Sequence, residues 1–216
     1  MARAHLSRPY PGSVHPRLRL VLIGLVACAA AAVAGVSLAD RGDSARPAGA
    51  GDGFRGALRP RGVPPKDFSL RDQDGRLASL ASYRGEVVVL TFLYSTCKDT
   101  CPIQADQIRG ALDDLGSAAP PVLAVSVDPA GDTPERARAF VAKRRLTGRM
   151  RFLLGTRAQL EPLWRAYAVQ PQSEEFEHSA YVLLIDKAGR QRIGFPVNRL
   201  TPEGLAHDIR LLAEES

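Results

Sequence analysis

The chain has 216 residues, three cysteines and a formal net charge of +6, and 45% of its residues are hydrophobic. The excess charge is local: residues 1–63 hold nine Arg against three Asp, whereas residues 64–216 hold twenty basic and twenty acidic side chains. A nucleic-acid binder concentrates positive charge on its folded part, so this balance argues against that class, and so few cysteines argue against a disulfide-stapled scaffold.

In chain order, residues 1–19 form a basic tail with Arg3, Arg8, Arg17 and Arg19, and residues 20–39 (LVLIGLVACAAAAVAGVSLA) carry no charge. An apolar run of about 20 residues spans a bilayer, and a buried helix of a soluble domain rarely lacks polar residues on every side. The first expectation is therefore a single N-terminal transmembrane helix. With arginines before it and Asp40 after it, the positive-inside rule leaves the tail in the cytoplasm. The rest of the chain then lies on the extracytoplasmic (periplasmic or extracellular) face. Three fates are open for the segment: retention as an anchor, cleavage after Ser37-Leu38-Ala39, or a lipid on Cys28 in Leu25-Val26-Ala27-Cys28. The apolar run continues past Cys28, which favours the retained anchor, and all three fates export the C-terminal part of the chain. Residues 40–63 are rich in Gly, Ala, Pro and Arg, show no apolar period, and read as a flexible linker.

The folded domain is expected over residues 64–216. Phe68-Ser69-Leu70 and Leu77-Ala78-Ser79-Leu80 flank the turn Asp72-Gln73-Asp74-Gly75, which predicts a hairpin. Residues 86–94 form a strongly apolar strand, followed by a helix from about Cys101 to Leu115 in which Pro102 suits an early position. Residues 122–127 predict a strand, and Thr133-Pro134-Glu135 opens an amphipathic helix running to about residue 146. A short strand at 152–154 leads to a helix with Leu160, Leu163, Trp164 and Tyr167 on one face, although Pro162 leaves its start open. Residues 181–185 and 192–195 flank the turn 186–189 as a second hairpin, and Thr201-Pro202-Glu203 caps a last helix. Alternating strands and helices imply parallel strands covered on both faces, with antiparallel pairing added by the final hairpin. With a cysteine pair after the first central strand, this is an α/β, thioredoxin-like layout: a central mixed β-sheet flanked by helices.

The chemistry concentrates at Cys97-Lys98-Asp99-Thr100-Cys101-Pro102, where the apolar strand meets the helix. The helix dipole and its unpaired N–H groups favour a thiolate there, and the thiolate is the form that attacks disulfides and binds soft metals. Cysteines four apart either share one face of the first helical turn or converge across the loop. Both arrangements allow a disulfide or the chelation of one ion. The plainer alternative is a pair of buried, inert cysteines, against which Lys98 and Asp99 mark an exposed loop. His178, in Glu177-His178-Ser179 just before the strand at 181, is the next candidate, because in this layout its loop lies against the N-terminus of the cysteine-bearing helix. A surface histidine beside acidic residues is the alternative. Two thiolates and one imidazole make a soft, low-coordinate set that suits Cu(I) and admits Cu(II), whereas structural zinc takes a fourth ligand. Asp128 and Asp132 follow the second central strand. Asp132 or Thr133 is expected to cap the next helix, with a supporting or docking role as the other reading. His5 and His15 lie in the basic tail, His207 reads as a solvated helix face, and Lys143-Arg144-Arg145 reads as a solvated helix end.

Taken together, Phe68-Ser69-Leu70-Arg71-Asp72-Gln73-Asp74-Gly75, the CxxxCP site, Val127-Asp128-Pro129 with Asp132-Thr133-Pro134, and the position of His178 resemble the Sco/SenC family. That family handles copper at respiratory membranes, and the match covers roughly residues 64–212 with the N-terminal anchor. The resemblance implies copper ligation by Cys97, Cys101 and His178. It implies delivery of copper to the binuclear copper site of cytochrome c oxidase, or maintenance of that site's cysteines in the reduced state. The partners it implies are the copper-site subunit of the oxidase, other copper chaperones and thiol–disulfide reductants. In one departure, Lys98 stands where the family often has Pro; a flexible cationic residue there favours the thiolate and loosens the loop. The leading expectation is a metallochaperone, against a membrane-tethered thiol–disulfide oxidoreductase using Cys97 and Cys101. A peroxiredoxin-like peroxidase, prompted by Thr96 before Cys97, lacks the usual Pro-x-x-x-Thr-x-x-Cys spacing. His178 discriminates the first two, because disulfide exchange needs no imidazole.

Overall fold

The structure, a computed structural model, describes residues 53–60, 66–171 and 181–215. In chain order the strands are β1 (Ala57–Leu58), β2 (Ser69–Asp72), β3 (Leu77–Ser79), β4 (Val88–Leu93), β5 (Val122–Ser126), β6 (Met150–Leu154), β7 (Tyr181–Ile185) and β8 (Gln191–Pro196). The helices are α1 (Thr100–Leu115), α2 (Pro134–Lys143), α3 (Arg157–Ala166) and α4 (Pro202–Glu214).

The strands form one sheet in the order β1-β8-β7-β4-β5-β6-β2-β3. The pairs β4–β5 and β5–β6 are parallel and every other pairing is antiparallel. β4 and β5 are buried along their whole length, as expected for parallel strands covered on both faces. Along β4 and its approach the side chains alternate. Val87, Val89 and Leu93 join the apolar layer formed with α1, α2 and α4. Val88, Leu90 and Phe92 join the layer formed with α3 and the β2–β3 hairpin.

The helices follow local rules. Cys101, Ala105, Ile108, Leu112 and Leu115 make the buried stripe of α1, at the three-and-four spacing of one helix face. Thr133 caps α2 by accepting the Arg136 N–H at 3.3 Å, with Pro134 in the first turn. A capping box between Thr156 and Gln159 settles the start of α3 at Arg157, which leaves Pro162 inside the helix, where it removes one internal hydrogen bond and crowds the preceding turn.

One boundary differs from the expectation. Residues 53–60 fall within the stretch 40–63 read as a linker, yet Ala57 and Leu58 pair with Gly194 and Ile193 of β8. Phe54 is buried in the layer with α1 and α4. The Asp208 carboxylate on α4 accepts the Arg55 and Gly56 N–H groups, each at 2.8 Å. Gly56 serves close packing here, since a Cβ would collide with Ile193 and Phe195. Among the described residues no helix is long and apolar enough to cross a membrane; the run at 20–39 expected to do so lies outside them.

Candidate metal centre

Strand β4 ends at Leu93, and the chain turns through residues 94–99 into α1. The Cys97 N–H donates to the Tyr94 carbonyl at 3.3 Å, which closes the turn. Asp99 sits at the N-cap of α1 without a side-chain capping bond, and α1 has no acidic residue in its first turn. A sulfur takes the vacant role: the Cys101 N–H donates to Cys97 Sγ at 3.3 Å. Cys97 is half-buried and Cys101 is fully buried.

This placement separates the two thiols electrostatically. The Cys101 thiol donates to Cys97 Sγ, and the Cys101 and Asp99 backbone N–H groups and the Tyr94 side chain add to it. Against the cost of partial burial, these hold the Cys97 thiol down at about 4. The same hydrogen bond, burial, and the charges of Cys97 and Asp132 push the Cys101 thiol well above the ordinary range. The arrangement favours the thiolate at Cys97 and the protonated thiol at Cys101. Lys98, next to Cys97 in the chain, and Ile103, two residues after Cys101, are both exposed.

Asp132 does not cap α2, a role that falls to Thr133. Its buried carboxylate accepts the Ser95 N–H at 2.7 Å and the Ser95 hydroxyl at 2.5 Å through one oxygen, and the Ser126 hydroxyl at 2.5 Å through the other. Burial raises its pKa against those three hydrogen bonds. Asp128 turns back on its own loop, accepting the Gly131 N–H at 3.0 Å. His207 lies on α4 beside Asp208, 2.9 Å away, and faces a groove lined by Arg55, Arg199 and Arg210.

His178 lies outside the described residues. Tyr181, three residues on, starts β7. Because β7 runs antiparallel to β4, with Val182 opposite Thr91, it starts beside the end of β4 that leads to the cysteines. Gln104, one helical turn after Cys101, donates to the Tyr181 carbonyl at 3.1 Å and to the Thr91 hydroxyl. Among the described residues no three His, Cys, Asp or Glu side chains gather around a metal position. Three residues at this corner were not singled out from the sequence: Tyr94, Ser95 and Gln104. For Gln104 a signal existed, a polar residue inside the apolar stripe of α1; for the other two none did.

A mixed sheet with a thiol pair at the N-terminus of the helix that follows its central strand defines a thioredoxin-like protein with a dithiol site. Within that class, the profile of the SCO1/SenC family matches residues 59–214, so the chain belongs to the SCO1/SenC family. It is 31% identical over 185 residues to the mitochondrial SCO2 homolog of Bos taurus, covering 80% of this chain and 67% of that one. It spans about two thirds of the length of its SCO2-type relatives. Over 86 residues it is 34% identical to peroxiredoxin Bcp of Escherichia coli, covering 40% of this chain and 52% of that one. Among solved structures it is similar to Bradyrhizobium japonicum ScoI with copper bound, with a TM-score of 0.55 at 26% identity, covering 68% of this chain and 98% of that one.

Proposed function

We propose that the protein is a membrane-tethered copper metallochaperone that carries one copper ion as cargo for the binuclear copper site of cytochrome c oxidase. One observation carries this reading: two cysteine sulfurs meet at the N-terminus of α1, where half-buried Cys97 Sγ accepts the Cys101 N–H at 3.3 Å in the place of a helix cap, an environment that lowers the Cys97 thiol. Thiolate sulfur is the donor that selects Cu(I). Metal ligation needs both sulfurs as thiolates, so copper binding releases protons and weakens as the pH falls. His178 is the proposed third ligand. The start of β7 beside the thiol loop supports it, because the chain enters that strand three residues after His178. The copper-bound relative is in keeping with the same cargo. The copper-site subunit of the oxidase is the proposed recipient, with other copper chaperones or thiol–disulfide reductants upstream. The apolar run at 20–39 is the proposed tether, with the folded domain on the extracytoplasmic face.

A second reading is favoured by the Cys97 thiolate and by the peroxiredoxin-like segment. In it the protein is a thiol–disulfide oxidoreductase in which Cys97 attacks and Cys101 resolves, keeping the cysteines of the oxidase copper site reduced. His178→Ala separates the two. In the metallochaperone the substitution weakens Cu(I) binding only in part, because two thiolates suffice for linear Cu(I), and it removes or strongly alters the Cu(II) site, which needs nitrogen donors. Disulfide exchange, which depends on thiolate fraction and access, survives within a small factor. Copper titrations indifferent to His178 in both oxidation states, alongside robust disulfide reduction, would favour the oxidoreductase.

A further inference from the structure

Asp132 is a buried carboxylate, 8% exposed, with no ion-pair partner among the described residues. Burying a charge without a counter-ion is costly, and among the described residues two hydroxyls and one N–H offset it. Those partners come from two different elements, the turn after β4 and the end of β5. Ser95 lies two residues before Cys97 and gives both its N–H and its hydroxyl to one carboxylate oxygen. Ser126 ends β5 and gives its hydroxyl to the other. The β5–α2 loop behind Asp132 is itself fixed. The Asp132 N–H donates to the Asp128 carbonyl at 2.8 Å and the Asp128 N–H to Ser126 Oγ at 3.2 Å. Gly131 leaves room for the Asp128 carboxylate, which a Cβ there would displace. The Trp164 indole N–H holds the Ser126 carbonyl at 3.0 Å.

We propose that Asp132 is a positioning residue for the thiol pair: it buckles Ser95 to Ser126 and so holds the 94–99 turn with the Cys97 sulfur facing the first N–H groups of α1. Without the buckle, Ser95 keeps no other side-chain tie to the sheet among the described residues, and the turn that aims Cys97 loses its anchor on the β5 side. The N–H groups that stabilise the thiolate then meet the sulfur less often. The proposal rests on Cys97 and Cys101 being the working pair, as in the proposed function, and does not require that copper be the cargo.

The test uses metal-free protein and the equilibrium of the Cys97–Cys101 disulfide against glutathione. In that reaction two glutathione thiols reduce the protein disulfide and leave as glutathione disulfide. Asp132→Asn and Asp132→Ala both remove the charge, but only Asn retains an oxygen that accepts both Ser95 donors. A thiolate that loses its hydrogen bonds makes the reduced form less favoured, so Asp132→Ala is expected to be harder to reduce than Asp132→Asn by about tenfold, or ~30 mV. Asp132→Asn, which keeps the accepting oxygen and loses the charge that disfavours ionisation of Cys101, should be no harder to reduce than the parent. Ser95→Ala, which removes one of the three hydrogen bonds, is expected to shift the equilibrium by a smaller factor in the same direction; it decides the matter if Asp132→Ala does not fold. Equal potentials for the Asn and Ala variants, or a parental potential for Ser95→Ala when Asp132→Ala is unfolded, would overturn the proposal. So would failure of Cys97 and Cys101 to form a disulfide in the parent. Copper binding stands apart from this outcome: a protein that binds no copper yet shows the Asn–Ala difference loses the cargo assignment and keeps the buckle, and the converse result does the reverse.

Discussion

A cysteine sulfur in place of a helix cap is the feature from which the chemistry of this chain follows. Ordinary capping uses a Ser, Thr, Asp or Asn oxygen. Here Asp99 makes no such bond, and Cys97 Sγ accepts the Cys101 N–H. The Cys101 thiol, the backbone N–H groups and the Tyr94 side chain lower the Cys97 thiol from near 9 to about 4. Alkylation of Cys97 by iodoacetamide, followed by mass spectrometry, should therefore be nearly constant from pH 8 to about pH 5 and fall by half near pH 4. A midpoint at the ordinary thiol value would contradict this placement. The stability consequence has a definite sign. A thiol whose folded pKa is depressed adds stability that is full above its unfolded value near 9 and is lost as the pH falls towards 4. The stability gap between the parent and Cys97→Ala, measured by denaturant unfolding, should shrink steadily across that window. Cys101, raised rather than lowered, works against stability only above the ordinary thiol range.

Elements with a repeating apolar pattern were legible in the sequence, and the one without was not. The central strand, the four helices and both hairpins follow from runs, caps and turn residues that satisfy local rules. The structure places them within a few residues of those signals. β1 escaped because a two-residue strand has no period, and its neighbours Gly53, Arg55, Gly56 and Arg59 look like linker composition. What recruits it is nonlocal: the Asp208 carboxylate on α4 and the β8 edge. The two faces of the sheet give matched tests. Trp164 is buried under the sheet with Leu160 and Tyr167, and Phe54 is buried on the opposite face with α1 and α4. Truncation of either to Ala should cost about 3–5 kcal/mol in chemical denaturation. A near-neutral Phe54→Ala would place residues 53–60 outside the cooperative unit, and a near-neutral Trp164→Ala would mean that α3 does not carry its face.

At the scale of the whole molecule, the split between a basic N-terminal region and a charge-balanced domain indicated topology and argued against nucleic acid. Alkaline phosphatase fused after residue 216 should be active if the run at 20–39 exports the domain, whereas activity only from a cytoplasmic reporter would reverse the orientation. The position of the thiol pair was legible because strand, loop and helix signals meet at Cys97. The bracing of that pair was not, because Asp132 and Ser95 are far apart in the chain and meet only when the ends of β4 and β5 lie side by side. His178 was nominated by topology. The start of β7 beside the thiol loop supports that nomination, and the copper titrations of His178→Ala test it. The most direct test of the proposed function is a Cu(I) titration of the purified protein, reduced and then oxidised to the Cys97–Cys101 disulfide, in competition with a chromogenic Cu(I) chelator. The expected result is one tightly held Cu(I) per reduced chain, none in the disulfide form, and loss of tight binding in Cys97→Ser and in Cys101→Ser. Undiminished Cu(I) binding by the fully oxidised protein, or no tight binding by the reduced one, would contradict the assignment of this thiol pair as the copper carrier.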